Sequence, residues 1–125
     1  MTLETWLSDV PWGPLVAMVV LAGLALVMAA RGKRKRRVLA EVLTSGAKVI
    51  DVRSKAEYAA GHYAGAVNIP VDILESKVKT LGPKDGPLVV YCASGARSAQ
   101  AAALLARAGF TAVTNAGGLG NMPRG

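Results

Sequence analysis

The sequence predicts an α/β domain built on a central, mainly parallel sheet and preceded by one transmembrane helix. Three observations carry that prediction. An uncharged apolar stretch from Val10 to Ala30 is followed at once by a run of bases. From residue 38 onward the hydrophobic period switches back and forth between strand-like and helix-like segments, the order expected of parallel strands joined by crossover helices. The most apolar of the strand-like segments, Leu88 to Cys92, ends on the only cysteine, and ligands of parallel sheets collect at the carboxyl ends of strands.

The apolar stretch holds 21 residues. As a helix it would extend about 31 Å, enough to cross the hydrocarbon core of a bilayer. Pro11, Trp12 and Pro14 stand at its first turn, where proline removes no needed hydrogen bond and tryptophan suits the headgroup level. The bases at 31 and 33–37 are expected to close it. Acids (Glu4, Asp9) come before the apolar core and bases after it, the reverse of a secretory signal. The positive-inside rule then makes 1–9 a short extracytoplasmic tail, 10–30 a single-pass helix, 31–37 a basic juxtamembrane segment and 38–125 a cytoplasmic domain at an inner or plasma membrane. A cleaved export signal is the weaker alternative. A buried helix of a soluble protein is weaker still, because the remaining chain is too small to cover an apolar helix on every side. The basic run also offers contacts to anionic lipid headgroups, worth about 1 kcal/mol per base near such a surface.

Fifteen Lys and Arg against 8 Asp and Glu give a net charge of +7. Six of the bases lie within 31–37, so the charge is concentrated in one segment rather than spread over a folded face, and a nucleic-acid partner is not expected. One cysteine and one histidine exclude an internal disulfide and are too few ligands for a zinc enzyme. Neither a metal nor any other cofactor is expected.

Within 38–125, Val38 to Thr44 reads as a short amphipathic helix ending before Ser45-Gly46, and Lys48 to Val52 as a buried strand. Ser54-Lys55-Ala56-Glu57 has the spacing of a capping box opening a helix toward Ala60, with Gly61 as its stop. Ala66 to Ile69 forms a second strand ended by Pro70. Apolar residues at 71, 74, 78 and 81 predict a half-buried helix over Val71 to Leu81. Leu88 to Cys92 is the third strand, Ser98 to Ala108 a helix stopped by Gly109, and Ala112 to Asn115 a last strand before Gly117-Gly118.

Cys92 opens the loop Ala93-Ser94-Gly95-Ala96-Arg97 that leads into the last of these helices. Small residues and one glycine allow successive backbone N–H groups to turn into a common concavity. A helix N-terminus and the Arg97 guanidinium add positive potential at the same place, which lowers a thiol pKa. The expectation is a reactive thiolate rather than an inert buried thiol. Ser94 and Ser98 can either hydrogen-bond a bound anion or cap the helix.

These residues also carry a resemblance. Val49-Ile50-Asp51-Val52-Arg53, Glu57 and Gly61-His62-Tyr63-Ala64-Gly65-Ala66-Val67-Asn68-Ile69-Pro70 resemble the first signature of rhodanese domains. Val90-Tyr91-Cys92 with its loop, and Gly109-Phe110 through Asn115-Ala116-Gly117-Gly118-Leu119, resemble the second half of that family, most closely its small single-domain members of phage-shock type. The resemblance implies the three-layer rhodanese-like fold and a thiosulfate sulfurtransferase activity. Cys92 would be the nucleophile and sulfur carrier, with Arg97 attracting an anionic donor. Ala93, Ser94, Gly95, Ala96 and Ser98 would line the persulfide, and Arg53 is a further candidate for substrate contact. For Asp51 and Arg53 a mutual salt bridge is the stronger expectation, and His62 is expected to serve the fold rather than catalysis. With no second cysteine to resolve it, the persulfide must pass to a small thiol, to cyanide or to a protein acceptor.

Two other functions compete. Phosphatases and arsenate reductases of the same fold place five residues between cysteine and arginine, whereas four separate Cys92 from Arg97, and the smaller loop suits a single sulfur better than a tetrahedral oxyanion. The other rival is a membrane-tethered scaffold or persulfide-sensing module, against which the presence of Cys92 counts.

Overall fold

A computed structural model describes residues 11–123; the expected tail at 1–9 and Val10 lie outside the described residues. The chain divides between Arg36 and Arg37 into two units. Helix α1 runs from Gly13 to Thr44. It contains the basic run that was expected to end the apolar helix, and also the segment expected to form a separate short helix from Val38. The physical reason is local: Lys and Arg are good helix formers, no proline follows Pro14 until Pro70, and the one glycine in the run, Gly32, costs only about 1 kcal/mol. The helix ends where the backbone first turns left-handed, at Gly46 (φ +89°). There the N–H of Gly46 returns to the Leu43 carbonyl and that of Ala47 to Val42, at 3.4 Å each, a Schellman closure.

In the second unit α1 buries Leu39 with Val42 and Leu43 packed beside it. After it come β1 (Lys48–Asp51), α2 (Lys55–Ala60), β2 (Val67–Asn68) and α3 (Leu74–Lys77), which tightens into a 3-10 turn at Val78–Thr80. Then follow β3 (Leu88–Cys92), α4 (Ala96–Arg107), β4 (Val113–Gly118) and a 3-10 turn at Leu119–Asn121. The four strands form one parallel sheet in the order β2-β1-β3-β4. The period-2 alternation of β3 assigns its side chains to two cores. Leu88, Val90 and Cys92 join Ile50, Val52, Leu74, Ala101, Leu105 and Phe110 on one face. Val89 and Tyr91 join Leu39, Val49, Ala66 and Met122 on the other. That parity puts Cys92 on the α4 side of the sheet.

Strand β1 ends at Asp51 rather than Val52 and β2 spans Val67–Asn68 rather than Ala66 to Ile69, and three other expected elements differ more in extent. The helix expected over Val71 to Leu81 is α-helical only at Leu74–Lys77, although Leu74 and Leu81 are buried as its periodicity required. The Ser76 and Thr80 hydroxyls donate to the carbonyls three residues back, favouring tight turns over a regular helix. Helix α4 starts at Ala96 rather than Ser98, because Gly95 takes a left-handed conformation (φ +107°) at its N-cap. Strand β4 reaches Gly118 rather than Asn115, through a bulge: Val90 pairs with Asn115, but Tyr91 pairs with Gly117 and Cys92 with Gly118, leaving Ala116 unpaired.

Candidate active site

The site forms where β3 hands over to α4. Cys92 is a free thiol with no exposed surface. On the sheet side it meets the apolar core; on the loop side it meets amides. Gly95 N–H donates to Sγ at 2.9 Å, and the sulfur lies 3.5 Å from Ser98 Oγ. Burial pushes the Cys92 thiol up, but the Ser98 hydroxyl and the N–H groups of Ser98, Gly95 and Ser94 together outweigh it and hold the pKa below the ordinary thiol value. The positive end of α4 acts in the same direction.

Ser98 is itself buried. Its hydroxyl donates to the Gly95 carbonyl at 3.0 Å and lies 3.4 Å from the Gly117 carbonyl. The single hydroxyl proton can therefore serve a backbone oxygen while the sulfur is a thiol and turn to the sulfur when it is ionised. Of the loop residues, Gly95 directs its N–H at Sγ, whereas Ala93 presents its carbonyl to β4, close to Gly118. Ala96 begins the helix.

Arg97 is on the first turn of α4, and its guanidinium is clamped by Glu57: Nη1 donates to Oε1 at 2.6 Å and Nη2 to Oε2 at 3.0 Å, each side chain 37% exposed. Glu57 also completes the capping box of α2, accepting from the Ser54 N–H and hydroxyl while its own N–H donates to Ser54 Oγ. Arg97 first, and Ser54 second, bring the Glu57 carboxyl down to about 2. The Arg97 pKa is raised, mainly by Glu57 and in part by the charge of Cys92. Glu57, expected first as a helix cap, is thus also the partner of Arg97. Its capping-box spacing was visible, but its 40-residue separation from Arg97 hid the second role. Beside this pair lies an open cavity of about 580 Å³ lined by Val52, Ser54, Lys55, Pro70, Val71, Asp72, Ile73 and Arg97. Val52 directly follows β1 and Pro70 stands two residues beyond β2, so the cavity occupies the expected end of the sheet.

Arg53 does not join this group as a substrate ligand; the geometry favours the salt bridge. The residue is only 7% exposed. Its Nε and Nη2 donate to Asp51 at 2.7–3.1 Å, and Nη2 also donates to the Gly61 carbonyl at 2.7 Å. Asp51 further accepts the Arg53 N–H at 2.9 Å and the Tyr91 hydroxyl at 2.8 Å. Burial pushes the Asp51 carboxyl up, but Arg53 and Tyr91 together hold it below its ordinary value. The Tyr91 phenol is pushed up to about 12, chiefly by burial. His62 stacks on Tyr58 with ring centroids 3.7 Å apart, and its Nδ1 lies 2.9 Å from the Tyr58 carbonyl. Among the described residues no three His, Cys, Asp or Glu side chains converge to hold a metal.

The scaffold is thus a parallel α/β sheet with a lone thiol at the carboxyl end of a central strand, a loop amide on its sulfur and an arginine at the start of the next helix. Residues 36–120 match the rhodanese-like domain family. The chain is 42% identical over 71 residues to thiosulfate sulfurtransferase PspE of Escherichia coli K12, covering 56% of this chain and 68% of that one. It is 39% identical over 94 residues to the human thiosulfate:glutathione sulfurtransferase, covering 64% and 82% respectively. Among solved structures, a rhodanese with anions from E. coli superimposes with a TM-score of 0.61 at 34% identity, covering 64% of this chain and 95% of that one. The human single-domain sulfurtransferase TSTD1 gives a TM-score of 0.59 at 35% identity, covering 63% and 82%. The chain belongs to the rhodanese-like domain family, and within it is a rhodanese-type sulfurtransferase.

Proposed function

We propose that this chain carries sulfane sulfur on Cys92 between a thiosulfate-like donor and a thiol or cyanide acceptor. The Cys92 thiolate attacks the outer sulfur of the donor; a new S–S bond forms, the donor's own S–S bond breaks, and sulfite leaves with that electron pair. The acceptor then attacks the outer sulfur of the persulfide and restores the thiolate. Arg97 draws the anionic donor to the cavity, and the amides of Ser94 and Gly95 with the Ser98 hydroxyl bear the negative charge of thiolate and persulfide. The observation that carries this reading is the inward Gly95 amide on Sγ with the Ser98 hydroxyl beside it. Because the sulfur is fully covered, loading requires the loop or the Arg97–Glu57 clamp to yield. Mass spectrometry after thiosulfate exposure tests the scheme: an added sulfur on Cys92 that cyanide removes is expected, and an unchanged mass with hydrolysis of an aryl phosphate would reverse the assignment in favour of a phosphatase.

We further infer that 10–30 anchors the chain, with the catalytic unit in the cytoplasm and 31–37 at the lipid surface. Helix α1 is long and apolar enough to cross a membrane, with a mean hydropathy of 2.4 over its best 18-residue window and none of that window buried. Membrane fractionation decides it. An anchor stays with membranes through carbonate extraction at full length, a cleaved leader yields a shortened soluble chain, and a soluble helix yields a full-length soluble one. Protease protection of 38–125 in right-side-out vesicles reports the orientation.

A further inference from the structure

We propose that Gly118, at the end of β4, is a positioning residue for the sulfur cradle: its missing side chain lets the Ala93 carbonyl lie against β4, which sets the loop where the Gly95 N–H reaches Cys92 Sγ. The proposal rests on the sulfur-carrier reading of Cys92.

Cys92 and Gly118 are register partners, and the bulge at Ala116 is what brings them together. Without that extra residue Gly117 would stand opposite Cys92. A Cβ on Gly118 would lie 2.6 Å from the Ala93 carbonyl oxygen, 3.4 Å from its carbonyl carbon and 3.8 Å from Ser94 Cα. All three are backbone atoms, so no side-chain rotation relieves the clash and the loop itself has to move. Gly118 has φ −84° and ψ 159°, extended values open to any residue. Glycine is therefore required there by the approach of the loop and not by its own backbone conformation. Gly117 differs: it needs its positive φ of 81°, and the atom its Cβ would meet is the amide end of the Asn121 side chain at 2.9 Å.

Only Ser94 separates Ala93 from Gly95, whose N–H donates to Sγ at 2.9 Å, so the position of the Ala93 carbonyl against β4 sets the position of this donor. A methyl group at 118 displaces that carbonyl and turns the donor out of the cradle.

The test uses the full-length chain in detergent with G118A and, as a control, G120A, whose added Cβ would meet no atom within 4 Å. Ionisation of the single thiol is followed by ultraviolet thiolate absorbance against a C92S blank. G120A is expected to titrate like the parent. In G118A the midpoint moves to higher pH by about one to two units, the scale of losing one hydrogen bond to a charged group. A folded G118A with the parent titration overturns the proposal. In the unsubstituted chain the Gly95 amide proton resonance is expected to follow the Cys92 titration. A Gly95 resonance that ignores it overturns the proposal even if G118A fails to fold. None of these readouts requires sulfur transfer, so a parent chain that titrates as stated but never gains sulfur from thiosulfate refutes the carrier reading and leaves the role of Gly118 standing.

Discussion

The carboxyl ends of β1 and β3 lie side by side, each with an arginine and an anionic partner, yet they are built to opposite purposes. At β1, Asp51, Arg53, Tyr91 and the Gly61 carbonyl form a closed polar network with side chains 0% and 8% exposed in its ion pair. Asn68 ties the same turn to β2 through the Asp51 and Arg53 carbonyls. At β3 the ionisable group is a thiol served by loop amides, and the nearby arginine is paired on the surface with a carboxylate as exposed as itself. A buried ion pair resists loss of either member because the survivor is left charged without a partner. An exposed pair is held weakly and can exchange partners. The first arginine therefore shapes the fold, and the second is the one that the proposed scheme gives to an arriving anion.

Substitutions that separate chemistry from folding sharpen this comparison. The largest expected effect is on turnover: Cys92→Ser leaves the fold intact and abolishes sulfur transfer, and residual turnover in a thiosulfate:cyanide assay would remove Cys92 from the mechanism. Next is Asp51→Ala, which strands the Arg53 guanidinium and should destabilise the domain by about 3–5 kcal/mol, read by denaturant unfolding. If it instead leaves stability intact and raises only the donor KM, the proposed division of labour between the two strand ends is wrong. Arg97→Ala should raise the KM for an anionic donor about tenfold while changing unfolding little, since one charge-assisted contact to substrate is lost.

The pH profile bears on the same contrast. The thiol pKa is depressed in the folded chain, so the thiolate and the stability linked to it are present above the unfolded thiol value and lost as pH falls through the folded one. Arg97 and Ser54 bring the Glu57 carboxyl down to about 2, so the clamp on Arg97 stays charged from weakly acidic to neutral pH. Initial rates from acid to neutral pH should therefore show one limb that moves with the Cys92 titration, and a limb unrelated to it would break the scheme. The smallest effect is expected of Glu57→Gln, which frees Arg97 at the cost of a cap contact. It should lower the donor KM by no more than a few-fold with a slight loss of thermal stability.

Much of this fold was legible in the order of residues because it depended on local pattern. The Ser54–Glu57 box, the β3 segment from Leu88 to Cys92 and the Gly61 and Gly109 stops are set by neighbours a few positions away. The helix over Val71 to Leu81 was overextended for the converse reason: its apolar spacing was right, but side-chain to backbone hydrogen bonds set the local geometry. The continuity of α1 through the bases was missed because charge was read as a terminator, when lysine and arginine propagate a helix well. Arg53 was offered both a substrate and a salt bridge, and only burial of Asp51 distinguishes the two.

What the residues determined unaided was which group could carry sulfur, since a single cysteine admits no other choice and its small-residue loop can curl around it. What tertiary structure decided was how that sulfur is held: a bulge at Ala116 sets Gly118 against Ala93, and Glu57 reaches across 40 residues to Arg97. Backbone direction and long-range pairing depend on register and packing between distant strands, quantities that no local spacing encodes.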